Sequence, residues 1–256
     1  MLTIYSIVKG FDNKHIATIQ RNAVQSWLWM FPDAQILWFG DDEPGAQEEA
    51  DVYGVSLYPM ERTESGAPLL PNVVSSAHEL AKFDIRCLVN ADIILEPSFE
   101  QAVRAVGRAF EKFLLVARRR CAMVDYPINF AGVPGEPETW HERLMGLEWK
   151  DGRTDAMDMF CYRGDWLTDI PPFGVGRTAW DNWILSKARR EKVHIVDGTA
   201  FTRVLHQEHK RFKSQEEKAA NKAMLRKEFR KPATLYEATH HVTEVGAVMT
   251  GAYYTR

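Results

Sequence analysis

"CLVNADIIL", residues 87–95, is an apolar run of the kind that fills a buried strand, yet it carries Asn90 and Asp92 near its C-terminal end. Leaving a carboxylate unpaired in apolar surroundings costs roughly several kcal/mol, so its presence there calls for a compensating partner. A metal ion is one such partner; a helix cap or turn is the plainer alternative. In the segment before it, "NVVSSAHELAKFD", the apolar residues Val73, Ala77, Leu80 and Ala81 share one helical face. "PSFEQAVRAVGRAFEKF" after it reads as a second helix. A strand over 85–95 flanked by helices places Asn-Ala-Asp at its carboxyl end, which is where ligands bind in open α/β sheets.

The same alternation extends in both directions. A first strand is expected over Thr3–Val8, then a helix whose apolar face is Ile16, Ile19, Ala23, Trp27 and Met30 and which stops before Pro32. "QILWFG" and "VSLYP" read as strands around a short polar helix or turn, and residues 61–71 as a loop. Downstream, "FLLVARRR" reads as a strand and "TAWDNWILSKARREK" as a helix. Strands alternating with helices predict an α/β fold with a central, mostly parallel sheet. Residues 1–213 are expected to form this domain, with 214–256, polar and rich in Lys and Glu, as a helical extension packed on it. There are no internal repeats and no low-complexity tract.

Composition narrows the function classes. The 256 residues are 45% hydrophobic, enough for one large core. Lys and Arg number 32 against 35 Asp and Glu, so a net charge of -3 offers no global attraction to nucleic acid or an anionic membrane. The basic clusters near the C-terminus, "HKRFKSQEEK" and "RKEFRK", are interleaved with Glu, which argues against a nucleic-acid surface. Cys87, Cys121 and Cys161 form neither a C-x-x-C pair nor a disulfide framework, so a reducing, cytoplasmic setting is expected. The chain opens directly on strand-like residues, with no signal-peptide pattern, and contains no run of about 18 apolar residues that would suggest a membrane span.

Three further clusters carry chemistry-bearing residues. In "PPFGVGRTAWDNWIL", Gly174 and Gly176 permit a sharp turn and close approach to a ligand, and Arg177 offers a cation to a diphosphate or acidic sugar. Thr178 could cap the following helix, and Asp181 in its first turn could bind or deprotonate an acceptor hydroxyl, with Trp180 and Trp183 as stacking faces. The bland reading is a Gly-containing loop, an acid favoured by the helix dipole and core tryptophans. In "RTDAMDMFCY", Asp155 and Asp158 compete for the same catalytic role, or cap a turn. "HQEH", residues 206–209, is either a metal-binding pair or a surface pair before a basic helix.

Taken in order, "IQRNAVQSWLWMFPDAQILWFGDDE", "LVNADIIL", "DMFCYRGDWL", "GVGRTAWDNWIL" and "VLHQEH" resemble nucleotide-sugar glycosyltransferases of the GT-A fold, family 2-like, over residues 1–210. The resemblance implies a single Rossmann-like nucleotide-diphospho-sugar transferase domain. It implies that Asp92, at the last acidic position of an Asp-x-Asp motif, holds a divalent metal. Asn90 departs from the motif's first acid, and its amide can still bond a ribose or sugar hydroxyl. The resemblance places a further metal-ligating His at His206 rather than His209, and an acid facing the donor or acceptor sugar at Asp158. It also places Ser6, Val8 and Lys9 in the loop that meets the base and phosphates, where a lone Lys is otherwise simply solvated. In "ARRR", Arg120 is a weaker phosphate candidate.

The implied reaction moves a sugar from a nucleoside-diphosphate sugar to an unknown hydroxyl acceptor. A diphosphate must leave while positive charge grows on the sugar ring, as in glycoside hydrolysis. A divalent ion on the phosphates stabilises that leaving group. Oxygen ligands suit Mg²⁺ or Mn²⁺, and an imidazole shifts the preference to Mn²⁺. Two alternatives stand: a nucleotide-sugar-binding module without turnover, and a sugar nucleotidyltransferase, whose glycine-rich basic N-terminal signature is missing from "YSIVKGFDNK".

Overall fold

The computed structural model describes residues 1–132, 139–209, 215–244 and 246–249. The first half of the chain follows the expected alternation: β1 (Thr3–Ile7), α1 (Lys14–Met30), β2 (Gln35–Phe39), α2 (Ala46–Tyr53), β3 (Ser56–Tyr58), α3 (Leu70–Leu80) and β4 (Ile85–Val89). Asn13 caps α1, its side chain accepting from the backbone N–H groups of His15 and Ile16 at 3.0 and 3.1 Å. The helix stops at Met30, ahead of Pro32, as a proline dictates. β1 pairs in parallel with β2 on one side and β4 on the other, and β2 carries β3.

The strand expected over 85–95 is two strands in two different sheets. After Val89 the backbone N–H of Asn90 bonds the carbonyl of Asp158 at 2.9 Å, and Ile93 N–H turns back onto the Asn90 carbonyl at 3.1 Å. The chain then leaves as β5 (Ile93–Leu95), which belongs to the second sheet. Asn and Asp are turn formers, and here they end the strand they interrupt. "FLLVARRR" divides in the same way. After α4 (Pro97–Ala109), β6 (Phe113–Val116) stays in the large sheet and β7 (Arg119–Ala122) crosses to the small one.

The second half supplies α5 (Trp140–Met145), β8 (Lys150–Asp151), β9 (Met159–Arg163), α6 (Trp180–Arg190), β10 (His194–Asp197) and β11 (Val204–Gln207). It ends with α7 (Gln215–Glu228), β12 (His240–Thr243) and β13 (Gly246–Met249). The large sheet has the order β13-β12-β10-β6-β9-β4-β1-β2-β3 and the small one β5-β11-β7-β8. β9 runs antiparallel between β4 and β6, and β13 is antiparallel at the edge; the other pairs of the large sheet are parallel. The segment after α7 adds two strands, β12 and the edge strand β13, that its polar composition did not announce. The domain boundary expected at 213/214 lies outside the described residues.

Side-chain alternation divides the core. Tyr5, Leu88, Leu114 and Phe160 point to one face of the large sheet, where Val73, Trp183 and Leu225 of the helices cover them. Ile4, Val89, Leu115 and Cys161 point to the other, under Trp27 of α1 and Phe99 and Val106 of α4. A smaller cluster of Ile94, Val124, Ile128, Phe130, Leu144 and Leu205 backs the small sheet. Among the described residues no helix is long and apolar enough to cross a membrane.

Candidate functional site

Asp92 lies in the turn between β4 and β5, and the small sheet decides what it meets. β11 pairs with β5 in antiparallel register, His206 opposite Ile93, which puts its imidazole beside the turn. Past the end of β11 the chain returns and His209 joins it. His209 Nε2 is 2.9 Å from Asp92 Oδ2, His206 Nε2 is 3.6 Å from the same oxygen, and the two rings lie 5.8 Å apart, nearly parallel. One ligand atom from each of the three residues falls within 4.8 Å of the others. Asp92 Oδ1 and His206 Nδ1 are buried without a hydrogen-bond partner, capacity that buried polar groups rarely leave unused. A carboxylate with two imidazoles is a donor set that fits Mn²⁺ and related divalent ions.

Charge around the turn agrees with that fit. Burial alone would raise the Asp92 carboxyl. The His206 and His209 imidazoles and the Lys9 ammonium outweigh it and hold the group well below the usual carboxylate range. Lys9 follows β1, its backbone clasped on both sides by the Gln20 amide at 2.7 and 2.9 Å, and its Nζ reaches 3.5 Å from His209 Nε2. Its exposed ammonium stands at the rim of the cluster.

Asn90, Asp158 and Arg119 form a layer beside it. Asp158 is buried; it accepts from Arg119 Nη1 at 2.9 and 2.7 Å and from Asn90 Nδ2 at 3.0 Å. Both carboxylate oxygens are engaged by Arg119, so Asp158 holds that guanidinium in place. Burial opposes the Arg119 charge, but Asp158 overrides it and raises the guanidinium above its ordinary value, with a further contribution from Asp92. Arg119 Nε is buried with no partner. Sequence reasoning passed over Arg119 in favour of Arg120. Only strand periodicity separates the two, and using it requires knowing which face of β7 is which.

Asp181 sits in the first turn of α6. Its Oδ1 accepts from the backbone N–H of Asn182 at 3.0 Å. The residue is half-buried. Burial pushes its carboxyl up to about 7, with the charges of Asp158 and Asp155 adding to the rise. The residue before the helix is Ala179, not Thr178, at φ +90°, and no side chain caps this end. A non-glycine residue at positive φ is strained backbone, here two residues from the acid. Trp180 and Trp183 are both core residues, so neither offers a stacking face for a sugar.

The remaining expected contacts divide. Ser6 is fully buried and donates its hydroxyl to the Val89 carbonyl at 2.6 Å, tying β1 to β4 and leaving no group for a nucleotide. The Val8 side chain is in the core and its N–H bonds the Phe39 carbonyl at 3.0 Å. Gly176 is at φ +79°, with open space where a side chain would stand. Arg177 donates through Nε and Nη2 to Glu217 of α7 at 2.5 and 2.9 Å, so it fastens a helix instead of facing a diphosphate. The cations that do border the cluster are Lys9 and Arg119.

No family model matches this sequence, and no curated protein does. Solved structures match across most of the chain. The complex of Staphylococcus aureus TarS residues 1–349 with UDP-GlcNAc is 13% identical over 90% of this chain and 67% of its own, at a TM-score of 0.56. The Mycobacterium tuberculosis glucosyl-3-phosphoglycerate synthase complex with UDP is 13% identical over 98% of this chain and 87% of its own, at 0.53. Another structure of that synthase is 14% identical over 91% and 82%, at 0.52. The chain spans 40% of a longer TarS structure. At such identities the fold is what is shared: this chain has the α/β fold of GT-A nucleotide-sugar glycosyltransferases.

Proposed function

We propose that this chain is a metal-dependent glycosyltransferase that takes a sugar from a nucleoside-diphosphate sugar, with a uridine donor the first to test because the similar structures were solved with UDP or UDP-GlcNAc. The observation that carries the reading is the convergence of Asp92, His206 and His209 at the carboxyl end of β4 in a GT-A sheet. These three residues would hold Mn²⁺ or Mg²⁺. Bound there, the ion supplies Lewis-acid stabilisation of the departing diphosphate. Lys9 and Arg119 add fixed positive charge on the phosphate side, Arg119 held in place by Asp158. Asn90 directs its amide N–H to Asp158, leaving the carbonyl end for a donor hydroxyl. Asp181 holds or takes the proton of the acceptor hydroxyl, a task suited to a carboxyl poised near neutrality.

The test is calorimetric titration of UDP and GDP with Mn²⁺ or EDTA, alongside hydrolysis of the corresponding nucleotide sugars. Mn²⁺-dependent UDP binding with slow sugar release is the expected outcome. Binding without any release, at saturating metal and donor, would assign the chain to a nucleotide-sugar-binding module. Absence of metal-dependent binding would overturn the reading altogether.

A further inference from the structure

Three arginines converge on the side of the small sheet that the strand-end cluster does not use. β7 and β11 run parallel with Val204 opposite Arg119 and His206 opposite Cys121, so Arg119 and His206 share one face. Side chains alternate along a strand, which sends Arg120 to the opposite face, and Arg118 and Arg203, the residues just before the two strands, join it. There they border a cavity of about 270 Å³ together with Thr199, Thr202 and Asp151. From Arg203 to His206 is three residues of extended chain, roughly 10 Å, so the two places are separate.

The cavity already holds one oxyanion, and it belongs to the protein. Asp151, half exposed on the short edge strand β8, accepts from Arg118 Nη2 at 2.9 Å and from Arg120 Nε at 3.1 Å. Its carboxylate stands where a bound anion would lie. Arg118 Nε is buried without a partner. Arg203 is less committed: its Nη1 is 2.8 Å from Met145 Sδ and 3.6 Å from Glu96 Oε2 in an adjoining cavity of about 320 Å³. Three guanidiniums against two carboxylates, Asp151 and the Glu96 beside Arg203, leave positive charge in excess, and Thr199 and Thr202 line the same cavity. Arginine forks suit phosphate above other small anions.

We propose that this cavity is a phosphate-binding subsite, distinct from the proposed donor site, that recognises the phosphate group of a small phosphomonoester or free phosphate by displacing Asp151. It stands whether or not the glycosyltransferase reading holds, because binding is read directly and without metal. The experiment is calorimetric titration of inorganic phosphate and of glycerol phosphate into the full chain in EDTA. Arg120→Gln and Arg203→Gln should each weaken binding by roughly five- to twentyfold with unchanged melting temperature. Asp151→Asn should tighten it by roughly three- to tenfold, because the internal competitor is gone. Tighter binding of glycerol phosphate than of phosphate marks a monoester as the occupant; equal binding marks the free anion. No phosphate binding, affinity unchanged in both arginine variants, or weaker binding in Asp151→Asn overturns the proposal.

Discussion

Asp92, buried, and Asp181, half-buried, are carboxylates whose surroundings push them in opposite directions, and that contrast divides their proposed roles. Asp92 faces imidazoles and an ammonium and stays ionised. Asp92→Asn should therefore keep the fold and lose Mn²⁺-dependent UDP binding, since an amide is a far weaker ligand. Because His206 and His209 both reach Asp92 Oδ2, His206→Ala and His209→Ala should each weaken that binding by roughly ten- to a hundredfold, about 1.4 to 2.8 kcal/mol. A loss confined to one histidine would remove the other from the proposed metal ligands. Asp181 lacks such partners, and its carboxyl titrates near 7. As a base it works deprotonated, so sugar transfer or release should rise with pH through about 7 and level off above, and Asp181→Asn should lose that step. The same shift has a stability consequence. The unfolded chain releases this proton near 3.8 and the folded one only near 7, so the wild type loses stability across that interval. Thermal melts should show the advantage of Asp181→Asn growing between these pH values and constant above them.

At the scale of elements, α7 is fastened to the loop before α6 by Arg177 and Glu217, with Asn221 accepting from the Gly174 N–H at 3.2 Å. The ion pair is largely buried, at 9% and 16% side-chain exposure, so removing one partner leaves the other charge stranded. Arg177→Gln should cost about 1–3 kcal/mol in urea or thermal unfolding while UDP affinity changes less than twofold. A large loss of UDP affinity with unchanged stability would return Arg177 to the donor site. In the sequence, an arginine in a glycine-containing loop ahead of a helix has every local feature of an anion ligand. Its partner is 40 residues away, and no local pattern contains that information.

Across the whole molecule, the cluster joins parts of the chain that are far apart. Asp92 and His209 are separated by 117 residues and are brought together only once both sheets have formed. A ligand that binds the assembled cluster and not the unfolded chain must raise the melting temperature. At a hundredfold excess over Kd the gain is about 2.7 kcal/mol, roughly 5 to 10 °C for a chain of this size. UDP with Mn²⁺ should produce that shift in the wild type, UDP with EDTA should not, and Asp92→Asn should abolish it.

The amphipathic periods of α1, α3, α4 and α6 and the apolar strands between them are local properties, set by residues one to four positions apart, and they sufficed for an α/β sheet with Asn90 and Asp92 at a strand end. What periodicity does not encode is where a strand changes partners. The apolar run resumes at Ile93–Leu95 after Asn90 and Asp92, and β7 follows β6 after only two residues, so the pattern marks an interruption without showing that the chain changes sheets. That crossing turns Arg119 toward Asp158 and Arg118 and Arg120 toward Asp151, and it brings β11 alongside β5 so that His206 and His209 meet Asp92. The residue types were legible because their chemistry is intrinsic. Their grouping was not, because it depends on strand register between segments more than 80 residues apart in the chain, which only the folded sheets establish.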